Sequence, residues 1–294
     1  MLTPYLLLLV AVLCWSGNFI AGKFALREFP PFALVVLRIW LSAALLAAIY
    51  FTRPNRRRLT RADLTKFAEL GLYSVALNQT GFTVGLNYTT VAHSSLIISL
   101  SPIFILLLAR WQRLEALTAR KLLGMGLAFF GVVVLTSEHG FGSASPTFLG
   151  DILTLAAAIS FSLYTVVGKK VARTYDTLTM NTFAYLIGAV LVLPLAGWQL
   201  TDVPWSGVSW QAWLSLAYMA ALGSVLAYLL YYYALSRLLA SRVAAFAYLQ
   251  PPLATLLGVL ILSEALSPQL LAGAAAILGG LYLTQRPADS GLER

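Results

Sequence analysis

Charged residues are scarce in this sequence. Of its 294 residues, 11% are charged and 60% are hydrophobic, whereas a soluble globular protein carries roughly 25% charged residues. Apolar stretches of about 20 residues recur along the whole chain, and each is long enough to cross a bilayer as a helix. The composition excludes an ordinary soluble protein and indicates an all-α polytopic membrane protein.

Cysteine, histidine and recognisable catalytic motifs are nearly absent as well. The single cysteine, Cys14, lies inside an apolar stretch, which excludes a disulfide or a Cys-based metal site within one chain. The two histidines, His93 and His139, fall near a predicted helix end and in a predicted loop. The sequence contains no HExxH motif and no phosphate-binding loop. We therefore expect no metal, no cofactor and no enzymatic activity, and an intramembrane enzyme is the disfavoured alternative.

The basic residues are confined to alternate loops. The apolar pattern predicts ten helices, at about 4–24, 32–51, 68–88, 93–110, 121–137, 149–169, 177–197, 211–235, 241–262 and 269–286. All but three of the 20 Lys and Arg residues follow the even-numbered helices; the exceptions are Lys23, Arg27 and Arg38. By the positive-inside rule both termini are cytoplasmic. The net charge of +9 thus indicates orientation in a lipid bilayer, and we expect no nucleic-acid partner.

The chain repeats itself. The segment "LCWSGNFIAGKFA" aligns with "ISFSLYTVVGKKVA" further along, and a second alignment pairs four residues of one half with four of the other: Pro102 with Pro251, Glu115 with Glu264, Gly124 with Gly273 and Gly131 with Gly280. The repeats cover residues 1–140 and 147–290. Each contains five helices, and an odd number makes the two halves cross the membrane in opposite senses. Inverted repeats of this kind place a substrate site near the bilayer midplane, between the halves.

These motifs carry a family resemblance. A helix with Trp15, Ser16, Asn18 and Lys23, followed by the duplicated Pro–Glu–Gly–Gly pattern, resembles the EamA-type permeases of the drug/metabolite transporter superfamily over nearly the whole chain. The branch that it resembles is that of the aromatic amino-acid exporters of the YddG type. One departure is "RWQRL" before Glu115, where the family usually has small apolar residues.

The resemblance implies ten transmembrane helices in two inverted five-helix repeats. It also implies a central cavity lined mainly by helices 1, 3, 4, 6, 8 and 9, with helices 5 and 10 at the periphery. The expected location is the inner membrane.

Polar and aromatic side chains occur at similar depth on several predicted helices. A shared wet cavity would satisfy them, and helix–helix hydrogen bonding is the alternative, favoured for any single Ser or Thr. Aromatic rings can stack on a ring of the solute or hold an ammonium group. The candidate substrate-binding residues are Trp15, Asn18, Asn78, Gln79, Phe82, Ser99, Ser162, Tyr164, Tyr228, Tyr248 and Gln250.

Two prolines lie inside predicted helices at equivalent places. Pro102 and Pro251 each remove a backbone hydrogen bond and free the carbonyl four residues earlier, at Ile98 and Ala247. Each proline is either a hinge, with the freed carbonyl facing a solute, or a static bend.

Ionisable groups are missing from the middle of the predicted spans. All 11 Asp and Glu residues fall in loops or within about two turns of a helix end, including Glu69 and Asp151. With no buried carboxylate expected, flux should not depend on a proton gradient. His93 is the one candidate proton group, or else a plain helix-end histidine. Arg38 either extends to the interface or meets a carboxylate, which could belong to the substrate.

The expected function is secondary transport. A small-molecule substrate, first of all an aromatic or other apolar amino acid, would be exported by alternating access through the central cavity. A carrier for another solute class, such as a drug, a sugar derivative or a nucleotide derivative, is the alternative, and a channel fits the inverted repeat less well. The sequence is compatible with a monomer and leaves the oligomeric state open.

The charge pattern makes a prediction about topology. A reporter placed at Gly142 or Gly207 should be accessible from outside the cell, and one at Asn55 or after Arg294 from inside, because the basic loops face the cytoplasm. Labelling of single cysteines introduced at these positions in intact and in permeabilised cells measures this. Labelling of Gly142→Cys from the cytoplasmic side alone would contradict it.

Overall fold

The computed structural model describes residues 3–54, 63–111, 118–137, 146–172, 174–238, 243 and 246–285, and this part of the chain is helical and contains no β-strand. Glu115, His139 and the basic residues at 56–58 lie outside the described residues. The helices are α1 (Thr3–Ala25), α2 (Pro31–Thr52), α3 (Leu64–Leu70), α4 (Thr80–Tyr88), α5 (Val91–Ile98), α6 (Ser101–Trp111), α7 (Ala119–Thr136), α8 (Pro146–Val171), α9 (Thr177–Leu191), α10 (Leu193–Gln199), α11 (Trp210–Tyr218), α12 (Ala227–Arg237), α13 (Gln250–Leu262) and α14 (Pro268–Gln285).

Five helical stretches of the described residues are long and apolar enough to cross a bilayer. They are Thr3–Ala25, Pro31–Thr52, Val91–Leu108, Thr147–Val171 and Trp210–Arg237. Large apolar side chains point outward from several helices, for example Leu123, Val190 and Leu260. Exposed apolar surface on this scale marks contact with a membrane. The all-helical, polytopic character of the chain is thereby confirmed, while the arrangement with ten spans remains a prediction.

Two helical runs change to π geometry in their middle. The segment π1 (Gly71–Gln79) joins α3 to α4, and the segment π2 (Met219–Leu226) joins α11 to α12. A π turn accommodates extra residues in an otherwise α-helical run, shifts the side chains that follow around the axis, and is frequent at functional sites. The sequence predicted plain helices at both places.

The predicted helix at 93–110 is interrupted. Helix α5 ends at Ile98 and α6 begins at Ser101. Pro102 cannot donate a hydrogen bond to the Ile98 carbonyl, but the Ser101 hydroxyl donates to that carbonyl at 2.7 Å. The carbonyl that Pro102 leaves without a backbone donor therefore has a side-chain donor from its own helical run. Pro251 lies in the first turn of α13, where a proline costs no hydrogen bond.

Helices α7 and α14 pack against each other through glycine. A Cβ atom added at Gly131 would come within 2.7 Å of the Gly273 carbonyl oxygen, and one added at Gly124 within 2.6 Å of the Gly280 carbonyl oxygen. The two backbones approach too closely for any side chain there. Small residues that allow such an approach are the usual basis of helix association in membranes, where the hydrophobic effect does not drive helices together.

This packing predicts different effects for two glycine substitutions on the same helix. Gly131→Ala should lower the melting temperature of the purified protein by an amount that corresponds to about 1–3 kcal/mol, because the new methyl group overlaps backbone atoms that cannot rotate away. Gly126 has no atom within 4 Å of an added Cβ. Gly126→Ala should therefore leave the melting temperature unchanged or raise it. Equal effects of the two substitutions would contradict the close packing.

Candidate functional site

A central cavity lies between the helices and contains about 860 Å³ of empty space, counting its open mouth. The lining comes from α1, α2, π1, α4, α5, α6, α8, α12, residues 243 and 246, and α13. The lining residues are Leu8, Val12, Trp15, Asn18, Phe19, Arg38, Asn78, Gln79, Phe82, Ile98, Ser101, Pro102, Ile105, Phe161, Tyr228, Tyr231, Val243, Phe246 and Gln250.

One side of the cavity is aromatic. The ring centroid of Trp15 lies 6.0 Å from that of Phe161, 5.6 Å from that of Tyr228 and 5.4 Å from that of Tyr231. The Trp15 indole N–H donates to the carbonyl of Gly223 in π2 at 3.1 Å. We call these four rings the aromatic wall. Because its polar edge is bonded, the Trp15 ring is fixed and presents apolar surface.

Polar groups around Arg38 form a hydrogen-bond network. The Arg38 Nε donates to the Ser224 Oγ at 2.9 Å, and Ser224 Oγ in turn donates to the Gln79 Oε1 at 3.4 Å. The Gln79 amide donates to the Tyr185 hydroxyl, which donates to the Ser224 carbonyl at 3.4 Å. We call these four residues the Arg38 network. It joins α2, π1, α9 and π2.

Asn78 uses both ends of its amide within the protein. Its Nδ2 donates to the Ala157 carbonyl at 2.9 Å, and its Oδ1 accepts from the Tyr228 hydroxyl at 3.0 Å. Gln250 is 6% exposed and makes no side-chain hydrogen bond within the described part of the chain. The two amides therefore differ: Asn78 joins helices, and Gln250 is available to a solute.

Asn18 marks a close approach between α1 and π2. Its Oδ1 has no hydrogen-bond partner among the described residues, and it lies where a Cβ atom at position 223 would be. Only glycine fits at 223, and the same residue offers the carbonyl that Trp15 binds. The approach of α1 to π2 thus positions Asn18 and Trp15 together on the cavity lining.

Four of the predicted substrate-binding residues lie behind the lining. The Ser99 hydroxyl donates to the Leu96 carbonyl, and the Ser162 hydroxyl donates to the Ala158 and Ser101 carbonyls. Tyr164 is fully buried and donates to Asn181, with its ring 6.0 Å from that of Tyr228. Tyr248 packs with the cluster around Leu100 and Ile103, and its hydroxyl has no partner in the described segments.

His93 lies away from the cavity and faces a buried acid. It is 1% exposed, and its Nδ1 is 3.2 Å from the Asp151 Oδ2. Asp151 is 2% exposed and also accepts from the Thr89 hydroxyl at 2.6 Å. The expectation that the chain buries no carboxylate is therefore wrong. Residue 151 is within two turns of the start of α8, but α4 and α5 cover it, which the sequence position alone does not reveal.

At one end of the molecule two charged side chains bond to the backbone around the start of α5. Lys23 donates from Nζ to the Thr89 carbonyl at 2.6 Å. Glu264 accepts from the backbone N–H groups of Val91 and Ala92 at 2.8 and 3.2 Å, at the start of α5. An acid is favourable there because the first N–H groups of a helix have no partner within it. We call these contacts the closed end; they join residues of the first half to Glu264 of the second.

Glu28 ties the loop between α1 and α2 to the start of α11. Its carboxylate accepts from the Ser209 N–H and from the Ser209 hydroxyl, both at 2.6 Å. The hydroxyl bond first, and then the backbone bond, lower the pKa of the Glu28 carboxyl. The contact therefore stabilises the fold at neutral pH and is lost as the pH falls through this lowered pKa.

Sequence reasoning missed two members of the Arg38 network, Tyr185 and Ser224. The available signal for Tyr185 was its spacing from Asn181, four residues apart in an apolar run, which places two polar groups on one helix face. Ser224 carried no such signal, because one serine in a membrane helix usually bonds to its own helix.

Comparison with known proteins identifies relatives over the whole chain. The sequence profile of the EamA-like transporter family matches residues 2–137 and, separately, residues 148–286. An uncharacterized transporter of Archaeoglobus fulgidus is 30% identical over 282 residues, covering 95% of this chain and 96% of its own. A protein of Escherichia coli named "Probable amino-acid metabolite efflux pump" is 29% identical and covers 94% of this chain and 93% of its own.

The fold is similar to that of a protein known from a crystal structure. The two superpose with a TM-score of 0.68 at 24% sequence identity, covering 96% of this chain and 98% of the other. At this identity the likeness concerns the fold alone.

The contrast between the two amides predicts a difference in stability. Asn78→Ala should lower the free energy of unfolding by about 1–3 kcal/mol, because it leaves the buried Tyr228 hydroxyl without its acceptor. Gln250→Ala removes no hydrogen bond within the described chain and should change stability little. Thermal unfolding of both variants in detergent measures this. A larger loss for Gln250→Ala than for Asn78→Ala would contradict the assignment.

Proposed function

Because the chain belongs to the EamA-like transporter family, we propose that it is a secondary transporter that exports small amphipathic metabolites through the central cavity. The first candidates are aromatic and other apolar amino acids. The chain is an integral, multi-pass membrane protein, and the inner membrane, with both termini cytoplasmic, is its proposed location.

The cavity is the observation that carries this proposal. The aromatic wall offers a surface on which a planar or branched apolar group can pack. The lining also includes Arg38, Gln79 and Gln250, which carry hydrogen-bonding groups. A solute with an apolar body and a polar head matches both kinds of lining group at once. The name of the Escherichia coli relative, which refers to amino-acid metabolites, agrees with such a solute.

The position of the cavity supports alternating access. Its lining includes Leu8 and Val12 in the first half of α1, and Val243 and Phe246 before α13. With the termini in the cytoplasm, these residues are on the cytoplasmic side, and the closed end is on the outer side. In this geometry a solute enters from the cytoplasm and leaves after Lys23 and Glu264 release their partners.

We further propose that ten helical spans form two inverted five-helix repeats. Two observations support this. The family profile matches the chain twice, in its first and second halves. The segments π1 and π2 occupy corresponding places in the two halves, each followed by the helix that brings aromatic residues to the cavity, Phe82 in one half and Tyr228 in the other.

We still expect a flux that does not depend on a proton gradient, but the reason differs from the one that the sequence suggested. His93 and Asp151 bond to each other outside the cavity lining. Among the described lining residues there is no carboxylate and no histidine that could exchange a proton as the solute binds.

Transport by reconstituted protein tests the function. In liposomes loaded with unlabelled L-phenylalanine, the wild type should show saturable counterflow of labelled L-phenylalanine. Trp15→Ala should weaken this roughly 2- to 10-fold, because an aromatic contact of about 0.5–1.5 kcal/mol is lost. L-Alanine has no ring that could pack on the aromatic wall. Its counterflow should therefore change less.

The matched control is Trp205→Ala. Trp205 is half exposed and stacks on Trp213, with 6.2 Å between the ring centroids, outside the cavity lining. Its loss should leave both fluxes unchanged. No counterflow of any amino acid by folded wild type would overturn the proposed solute class, and flux that rises linearly with concentration would indicate a channel.

A further inference from the structure

We infer that Arg38 binds the carboxylate of the transported solute and that a monocarboxylate is the polar head the cavity selects. The inference rests on the proposed transport function and makes it more specific. Neither the family profile nor the names of the relatives assigns a role to this residue.

The first step is the incomplete bonding of the guanidinium. Arg38 lines the cavity and is 3% exposed. Its Nε is bonded to Ser224, whereas its Nη1 is buried and has no hydrogen-bond partner among the described residues. A guanidinium has five N–H donors and stays charged at any physiological pH. The protein thus fixes one edge of a guanidinium that lines the cavity and leaves at least one of its nitrogen atoms without an acceptor among the described residues.

The second step is the neutrality of the surroundings. None of the ion pairs formed within the described residues includes Arg38. The groups next to it are the Ser224 hydroxyl and the Phe82 ring, whose centroid lies 5.9 Å from the guanidinium carbon, and all members of the network besides Arg38 are uncharged. An unpaired charge that is shielded from water is costly. An anion that enters the cavity removes that cost, and this makes anion binding favourable.

The third step is the charge balance, which selects the class of anion. Arg38 is the one cationic side chain of the described cavity lining. A monocarboxylate neutralises it, and the planar fork of the guanidinium fits the two carboxylate oxygens. A phosphate dianion would leave an excess negative charge in an apolar cavity, whereas the ammonium that an amino acid brings besides its carboxylate can be held by the ring faces of the aromatic wall. The apolar remainder of the solute then meets the aromatic wall.

Ligand pairs test the inference on the wild type. L-Phenylalanine, L-phenylalaninamide and 3-phenylpropionate are compared as competitors of L-phenylalanine counterflow in liposomes. The amide keeps the ring and the ammonium but lacks the carboxylate, and 3-phenylpropionate keeps the carboxylate but lacks the ammonium. The amide should compete about 10- to 150-fold more weakly than L-phenylalanine, the factor expected for one charge-assisted hydrogen bond. 3-Phenylpropionate should compete better than the amide.

Variants assign the effect to Arg38. Arg38→Gln should abolish the discrimination. L-Phenylalanine and L-phenylalaninamide should then compete equally, and both should compete weakly. Arg38→Lys keeps the charge, loses the planar fork and should retain part of the discrimination. Arg27→Gln is the control for the loss of one positive charge, since Arg27 lies over the Phe24 ring outside the cavity lining. It should discriminate like the wild type.

Each outcome has a distinct meaning. Equal competition by acid and amide in a wild type that transports L-phenylalanine overturns the inference and leaves the transport function intact. Full discrimination by a folded Arg38→Gln protein also overturns it. If Arg38→Gln cannot be purified, the Arg38→Lys variant decides. The same preference for L-phenylalanine over its amide as in the wild type would overturn the requirement for the guanidinium. Absence of amino-acid transport by the wild type refutes the proposed function instead.

Discussion

Arg38 is held by one hydrogen bond to the Ser224 hydroxyl, and the other polar groups of the network are arranged around that contact. Gln79 and Tyr185 complete a ring of bonds that returns to the Ser224 carbonyl. In surroundings as apolar as these, each member is satisfied only while the others remain in place, which makes the network cooperative. One consequence is that four segments separated in sequence are fixed relative to one another at the depth of the cavity.

The two π segments explain how these groups meet. Gln79 is the last residue of π1, and Gly223 and Ser224 lie near the end of π2. The wider turn changes the direction of the side chains that follow and leaves room for a bond to a backbone carbonyl from another helix. Trp15 uses such a carbonyl at Gly223, and Tyr185 uses one at Ser224. Residues of the two π segments therefore bond to Trp15 of the aromatic wall and take part in the Arg38 network.

The sequence predicts the helices well and their irregularities poorly. The apolar pattern predicted helices at 4–24 and 32–51, and the structure has the helices Thr3–Ala25 and Pro31–Thr52 there. No composition signal distinguishes π1, which packs against α8 and α9, from an α-helix. Pro102 predicted an irregularity in the helix. The hydrogen bond from the Ser101 hydroxyl to the Ile98 carbonyl depends on the rotamer of Ser101, which the sequence pattern does not reveal.

Side-chain length explains why the predicted serines do not reach the cavity, whereas Tyr164 and Tyr248, which are large, are absent from the lining because they pack elsewhere. Trp15, Asn78 and Gln250 have long or rigid side chains that reach away from their own helix, and all three line the cavity. The hydroxyls of Ser99 and Ser162 are short enough to bond to a carbonyl three or four residues earlier, and they do so. A polar residue at mid-span is thus a better candidate for a solute site when it cannot bond to its own helix.

Thr89 connects the closed end to the buried pair of His93 and Asp151. Its carbonyl accepts from Lys23, and its hydroxyl donates to Asp151, which faces His93. Movement of α1 away from α4 would take the Lys23 ammonium from its carbonyl acceptor while Asp151 stays buried. Opening this end therefore requires new partners for Lys23 and for Glu264, and water entering the cleft supplies them. The barrier to opening this end is then mainly the cost of breaking the bonds of these two charges before water replaces them, while the glycine contacts of α7 with α14, which lie elsewhere, can remain as they are.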